Sequence, residues 1–365
     1  MLANKIFLQS YADLTVGFMK TTPVRLKDIA HETGVSITTV SRILNGRDTA
    51  IPIREETRQR VLSAAAELGY RPNLLARGLR GSRSSLLGVI LRDISDPFHI
   101  QILQGIHASA AQRGYRLFLG HADFRPDVAA AYGSMFEQSH ADGIILVGDI
   151  EGDDTVVDIL TRQHQYVVGA TDRIERRTYP GVYADNILGT RLALDHLWNL
   201  GHRSIVCVSD PRIRDGRYRV EIYRRYMEEH GLEEQSRVYM TSQDPYASYE
   251  VGREIFSSFD PDFPRPTAIF AASDTIAIYL MQAAFQAGIR IPDSVSIVGY
   301  DNIDITPFTI PPLTTVNQFG GEMGQRAANL LFDMIEHSRE SSNVDDIVLS
   351  PNLVVRQSTS TPPDR

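Results

Sequence analysis

Ile37, Thr38, Ser41 and Arg42 recur at helical spacing on the polar side of a short segment whose other side is Val40, Ile43 and Leu44. Their chemistry suits the edge of a base pair. An arginine donates two parallel hydrogen bonds to guanine, a threonine hydroxyl reaches a base or a phosphate, and an isoleucine packs on a thymine methyl. A second polar set lies far downstream. Asp93, Ser95, His121, Asp123, Asp210, Ser273, Asp274, Asp301 and Asn302 each follow an apolar run of strand character. Carboxylates accept hydrogen bonds from hydroxyls, so these positions suit a neutral polyol or another donor-rich ligand. For any one of these aspartates, capping the next helix is an equal alternative, and Asp274 is the clearest double candidate.

The first set needs a small helical unit to hold it. Leu26, Ile29 and Ala30 share one face of a preceding helix, Gly34 suits a left-handed cap, and Ser36 stands at the next N-cap. Asn45-Gly46 ends the second helix. Ile53–Leu68 makes a third, with Val61, Leu62, Ala65 and Leu68 on one stripe and Gly69 as its stop. Helix, tight turn, helix is the pattern of a helix-turn-helix, here an all-α head. Next come Tyr70-Arg71-Pro72-Asn73 and a segment, Leu74–Arg80, too short to be stable alone. It is either an ordinary linker or a piece that folds when docked on DNA or on a second subunit.

The second set needs parallel sheets. Strand-like runs at Leu86–Leu91, Tyr115–Gly120, Gly143–Val147, Val167–Gly169, Ser204–Val208, Ala268–Phe270 and Val295–Val298 alternate with helical patterns, and the alternation repeats after about residue 183. That predicts two αβα lobes with a cleft between them, ligands sitting beyond the carboxyl ends of the strands.

Charge separates head from body. Residues 1–80 carry twelve Lys and Arg against seven Asp and Glu, whereas the remainder carries 25 against 38. A basic head on an acidic body directs only the head to a polyanion. With 42% hydrophobic and 22% charged residues the chain is in the folded globular class. Cys207 is the only cysteine, which excludes an intrachain disulfide or a Cys-based metal site. There is no apolar run of membrane-spanning length and no secretory pattern at the start. No Ser–His–Asp arrangement, His-x-x-x-His pair or Gly-rich phosphate loop is evident, so no enzyme activity, cofactor or metal is expected. His202 is expected to be structural, and Trp198 to be core or interface.

The segments RLKDIAHETGVSITTVSRILNG and VLSAAAELGYRPNLLARGL resemble the head of the LacI/GalR (lactose-repressor/galactose-repressor) family of bacterial transcription regulators. DGIILVGD at 142–149, DN at 185–186, LGHRSIVCV at 200–208, AASDTIAI at 271–278, IPDSVSIVGYDN at 291–302, PPLTTVNQ at 311–318 and LVVRQSTSTPP at 353–363 extend the likeness over residues 22–363. The resemblance implies a homodimeric, sequence-specific regulator with a type I periplasmic-binding-protein-like body. Base-reading positions would be Ile37, Thr38 and Arg42, with Thr22, Ser36, Thr39 and Asn45 on the DNA backbone. Asn73, Ala76, Arg77 and Leu79 would be hinge residues at the minor groove, Leu79 as the wedge. Arg219 and Asp301 match effector contacts and Phe98 an aromatic at the cleft mouth, beside Asp93, Asp123 and Asp274 from the strand ends. Ile222 replaces a usual glycine, Ser273 a common asparagine before Asp274, and Asp96 another before Pro97-Phe98. Family ligands are mostly sugars and their phosphates, occasionally purines or nucleosides. A sugar is favoured here, with a standard hexose put in doubt by these departures. The acidic rim weighs against a strongly phosphorylated ligand, although Arg212, Arg214 and Arg217 counter it.

The expected organisation is a disordered extension at 1–21, a helix-turn-helix domain at 22–69, a hinge and linker at 70–84, two lobes at 85–345 and a tail at 346–365. The lobes are 85–182 plus 315–342, and 183–314 plus the segment after 342. The expected partners are a near-palindromic operator duplex, a carbohydrate effector between the lobes and a second copy of the chain, with no membrane. Surface helices, including the one after Pro97, would form the dimer, and residues 337–362 lack the leucine heptads of a tetramer tail. A cytoplasmic repressor on the bacterial nucleoid is the expectation. A sugar-transport binding protein and a DNA-anchored sugar-modifying enzyme are the rivals.

Overall fold

The computed structural model describes residues 24–44, 53–70, 83–150, 154–171, 179–242, 244–257, 265–339 and 344–363. The chain divides into two compact units, residues 1–80 and 81–365. The expected extension at 1–21, and the hinge segment apart from Tyr70, Arg83 and Ser84, lie outside the described residues.

In the head, α1 (Leu26–Thr33), α2 (Ile37–Leu44) and α3 (Glu55–Glu67) enclose a core of Ile29, Ala30, Val40, Ile43, Val61, Ala64 and Ala65. The third helix buries Val61 and Ala65 of the expected stripe but turns its two leucines outward. Leu62 and Leu68 are exposed, and Ala64 takes the inner place. A head this small admits α3 only at close range, which small side chains allow.

The body contains two six-stranded sheets. The first has order β11-β5-β4-β3-β1-β2, from β1 (Leu86–Leu91), β2 (Arg116–His121), β3 (Gly143–Val147), β4 (Val167–Thr171), β5 (Gly181–Ala184) and β11 (Ile347–Leu349). The second has order β12-β10-β9-β8-β6-β7, from β6 (Ile205–Ser209), β7 (Arg237–Met240), β8 (Ala268–Ala271), β9 (Ser296–Asp301), β10 (Thr314–Asn317) and β12 (Asn352–Val354). All neighbours are parallel except β10 and β12. Uninterrupted apolar runs such as LLGVIL fit strands covered on both faces, here by α4 (Pro97–Gln112), α5 (Pro126–Gln138), α6 (Asp154–Gln163), α7 (Asn186–Asn199), α8 (Arg214–Glu229), α9 (Pro245–Ser257), α10 (Asp274–Gln286) and α11 (Gly320–His337).

The strand pairing corrects the expected lobe boundaries at three places. Residues 183–184 end β5 of the first sheet, 315–317 lie in β10 of the second, and Ile347–Leu349 returns to the first. The chain crosses between lobes three times, and each crossing occurs at a strand end, where no change in residue pattern marks it. Helix α11 crosses back and packs on α4 through glycines. A Cβ on Gly105 would lie 2.0 Å from the Gly321 carbonyl oxygen, and one on Gly324 2.0 Å from that of Ile102. His202 is structural, as expected. It is buried against Thr267 Oγ1 (2.9 Å) and the Ser360 carbonyl (2.9 Å), and it ties the tail into the second lobe. Trp198 packs on the second-lobe core, with the Arg203 guanidinium 3.5 Å from its ring centroid.

Candidate functional site: a recognition helix and an interlobe cleft

The turn before α2 determines what that helix presents. Gly34 caps α1 in the left-handed region (φ 67°), which glycine reaches without a Cβ penalty. Ser36 Oγ then accepts the Thr39 N–H at 3.1 Å and lies 2.8 Å from Thr39 Oγ1. Two hydroxyls sharing one hydrogen bond leave one O–H for an outside acceptor at a helix N-terminus, where an anion is favoured. Ile37 is 51% exposed and Thr38 is exposed, while Arg42 is half-buried and already engaged within the protein. Thr22, Asn45, Asn73, Ala76, Arg77 and Leu79 lie outside the described residues.

In the body, both sheets reverse strand order at their first strand, β2-β1-β3 in one and β7-β6-β8 in the other. Ligands bind outside the carboxyl ends of such strands at the reversal. The residues after these ends do converge. Arg92, Asp96, Phe98, His99 and Thr171 from the first lobe face Asp210, Asp215, Arg219, Ser273 and Asp301 from the second, with Gln318 beside them. The free space between them is about 30 Å³, enough for about two water molecules.

Internal bonds explain the small volume. Arg219 is buried; Nη1 donates to the Ala272 carbonyl (2.6 Å) and Nε to Asn186 Oδ1 (2.9 Å). Its guanidinium lies 3.7 Å from the Tyr300 ring centroid, with Asp215 at 3.7 Å and Asp301 at 3.9 Å. Gln318 donates to Asp301 at 2.7 Å. Burial holds the Asp301 carboxyl well above the usual carboxylate range, against the pull of Arg219. Asp96 Oδ1 caps α4 by accepting the Phe98 N–H at 2.9 Å. His99 Nδ1 meets the Asp93 carbonyl at 2.9 Å and Nε2 meets Arg92 Nη2 at 3.2 Å. The Asp93 carbonyl can only accept, so Nδ1 is the ring nitrogen that donates to it.

Contacts among the described residues join the lobes across the mouth. Arg214 Nε donates to buried Asp149 at 2.8 Å. The Phe124 ring lies between Arg92 (5.5 Å) and Arg212 (5.1 Å), and Arg212 is itself ion-paired to Asp210 at 2.8 Å. Thr171 stands out on this wall. Its φ is 99°, and its buried Oγ1 has no hydrogen-bond partner among the described residues.

Of the expected effector residues, Phe98, Arg219 and Asp301 line the cleft. Asp93 is nearly buried just behind it, with Oδ1 accepting from Ser95 N–H (2.8 Å) and Oγ (2.7 Å). Two expectations are corrected. Asp123 is exposed on the loop after β2 with φ 52° and does not line the cleft. Asp274 is fully buried; Thr315 Oγ1 (2.6 Å) and the Ile303 N–H (2.9 Å) take its two oxygens, and burial pushes its carboxyl up to about 7. Ser273 caps α10 instead, accepting the Ile276 N–H at 3.2 Å. The Ser273 and Asp96 departures therefore preserve capping, the service an asparagine gives. Arg92, His99, Asp149, Thr171, Asp215 and Gln318 were missed. Arg92, Asp149, Thr171 and Gln318 stand at or just past strand ends, so the strand-end rule applied to every strand finds them; His99 and Asp215 sit in first helical turns.

Among the described residues no helix is long and apolar enough to cross a membrane, and no cluster of His, Cys, Asp or Glu could hold a metal ion.

Residues 25–73 match bacterial regulatory proteins of the lacI family, and residues 194–359 match the periplasmic binding protein-like domain. The transcriptional regulator DegA of Bacillus subtilis is 34% identical over 346 residues, covering 94% of this chain and 99% of its own length. The lac repressor dimer bound to operator and the anti-inducer ONPF is similar with a TM-score of 0.80 at 25% identity, covering 93% of this chain and 99% of that one. A LacI-family regulator from Enterococcus faecium with bound ribose is similar with a TM-score of 0.67 at 26% identity, covering 76% and 99%. A helix-turn-helix head, a two-lobed body with its cleft at the strand ends and this match over nearly the whole length have one reading: the chain belongs to the lacI family, as a DNA-binding transcription regulator with an effector-binding body rather than an enzyme.

Proposed function

We propose that the protein is a homodimeric repressor of a near-palindromic operator, controlled by a carbohydrate held in the interlobe cleft. Two heads would occupy two half-sites, with Ile37, Thr38 and Arg42 at base edges and Ser36 and Thr39 at phosphates. Thr22 and Asn45 would add backbone contacts. The 73–79 segment would dock in the minor groove, with Leu79 as its wedge. The carbohydrate reading rests on the cleft wall. Asp210, Asp215 and Asp301 line the same cleft as the Phe98 ring and the Thr171 hydroxyl, which has no partner among the described residues, a set suited to hydroxyl donors with an apolar face. The ribose bound by the Enterococcus faecium relative favours the same class. Because the free space is about 30 Å³, a sugar enters only when the Arg214–Asp149 bridge and the Arg212–Phe124 contact open. Ligand binding and lobe movement are then the same event. A coupling of about 1–3 kcal/mol between the two sites shifts operator affinity about 5–150-fold.

Apolar side chains left exposed on the second lobe, Phe285, Phe308 and Ile310, are offered to a second copy of the chain. In a bacterial cell the complex would reside in the cytoplasm on the nucleoid.

Genomic binding-site mapping tests the operator, and sedimentation tests the dimer. A thermal-shift panel of sugars, sugar phosphates and nucleosides tests the ligand. A sugar should raise the melting temperature of the wild type and much less that of Thr171→Val. A panel in which only nucleosides stabilise the protein would overturn the carbohydrate reading.

A further inference from the structure

A second cavity lies apart from the cleft, between the edge of the first sheet and helices α7 and α8. Its volume is about 470 Å³, within the range of small-molecule sites. Tyr183 and Val348 form its wall on the first lobe, and Tyr218 and Ile222 on the second. Ile222, which stands where the resemblance puts a glycine, faces this cavity. Val348 is 52% exposed and Ile187, at the rim, 61%, so the entrance is apolar. Among the lining residues Asp185 and Glu221 are anionic and Arg225 is cationic. Asp185 Oδ1 is used to cap α7, accepting the N–H groups of Ile187 and Leu188.

We propose that this cavity is a second ligand site, for an aromatic or apolar organic cation. Two tyrosine side chains and a surplus of carboxylate over guanidinium give a π-rich, net-negative wall, the environment in which a partly desolvated ammonium is held. The acidic body, 38 carboxylates against 25 basic side chains over residues 81–365, adds a field of the same sign. An anion is disfavoured by the carboxylate surplus, and a sugar by a wall whose exposed area is mostly apolar. Occupancy also reaches the cleft. Asn186 lines this cavity while its side chain donates to Asp215 at 2.8 Å and accepts from Arg219 at 2.9 Å. A molecule here touches both lobes and sits one side chain from the cleft arginine. The proposal does not depend on the carbohydrate reading.

Titration calorimetry of the full chain with benzyltrimethylammonium, its neutral analogue benzyl alcohol and the anion benzoate tests it. The cation should bind once per chain, the alcohol at least about fivefold more weakly, and benzoate not detectably. Glu221→Lys, at an exposed position, should weaken the cation at least about tenfold, and Ile222→Trp should fill the cavity and abolish binding. A melting curve checks that Ile222→Trp folds; should it not fold, Glu221→Lys decides alone. No cation binding, equal binding of the three probes, or cation binding unchanged by Glu221→Lys would each overturn the proposal.

Discussion

The recognition helix and the interlobe cleft prepare their polar groups in opposite ways. On α2, Ile37 and Thr38 stand exposed and the Ser36–Thr39 pair keeps one O–H for an outside acceptor. In the cleft, Arg219 and Asp301 are buried and already bonded to the protein. A surface whose polar groups are solvated can dock on a rigid partner at the cost of releasing water and ions. A cleft whose polar groups are internally paired must exchange those bonds for ligand bonds, so it binds by rearranging. That asymmetry suits a rigid reader governed by a movable sensor.

The comparison breaks first at Arg219. Arg219→Ala leaves Asp215 buried without its cation and the Ala272 carbonyl and Asn186 Oδ1 without their donor, and removing one partner of a buried pair costs about 3–5 kcal/mol. Urea unfolding of the full chain should show that loss in the body transition. A loss below about 1 kcal/mol would mean that the cleft charges are solvated like those of α2. In the head, Arg42→Ala should cost about 1–3 kcal/mol of operator discrimination at one base pair, read by competition binding. Because Arg42 is half-buried and engaged, its thermal stability should fall as well. Equal weakening on random DNA would assign it to the phosphates instead. Ser36→Ala removes the cap of α2 and should cost the head about 1 kcal/mol in a melting curve.

The smallest effect concerns pH. The Asp274 carboxyl is held at about 7 in the folded protein by burial, above its ordinary 3.8. Its contribution to stability is therefore full below about pH 4 and is lost as pH rises through about 7. Burial lowers His164, His196 and His202, so their contribution is lost in the other direction, as pH falls below the ordinary histidine value. Between pH 6.5 and 8 the two contributions oppose each other, so the aspartate's share is read by difference. Relative to the wild type, Asp274→Asn should make the slope of the urea midpoint against pH more positive, since an amide can accept from Ile303 N–H and donate to Thr315 Oγ1. An unchanged slope would assign it to other groups, including Asp301.

Much of this was legible in the sequence wherever one local rule acts alone. Gly34 and Ser36 fixed the turn before α2, and LLGVIL and GIILV marked β1 and β3 to the residue. The cleft was legible only in part. Phe98 and Arg219 came from resemblance and Asp301 from both resemblance and the strand-end rule, whereas Asp123 and Asp274 satisfied that rule and still went elsewhere. Being placed after a strand does not determine where a side chain turns. Asp274 turned inward because Thr315 and the Ile303 N–H, donors from distant segments, were there to meet it.

The sequence by itself determined the helix-turn-helix, the doubled βα alternation and the charge contrast between head and body, because spacing and composition act over a few residues at a time. Only the tertiary structure decided which lobe owns β5, β10 and β11, that the cleft closes on its own arginines, and that Ile222 faces a different cavity. Those outcomes depend on groups tens to hundreds of residues apart competing for the same hydrogen bonds and the same volume, a contest that no local pattern records.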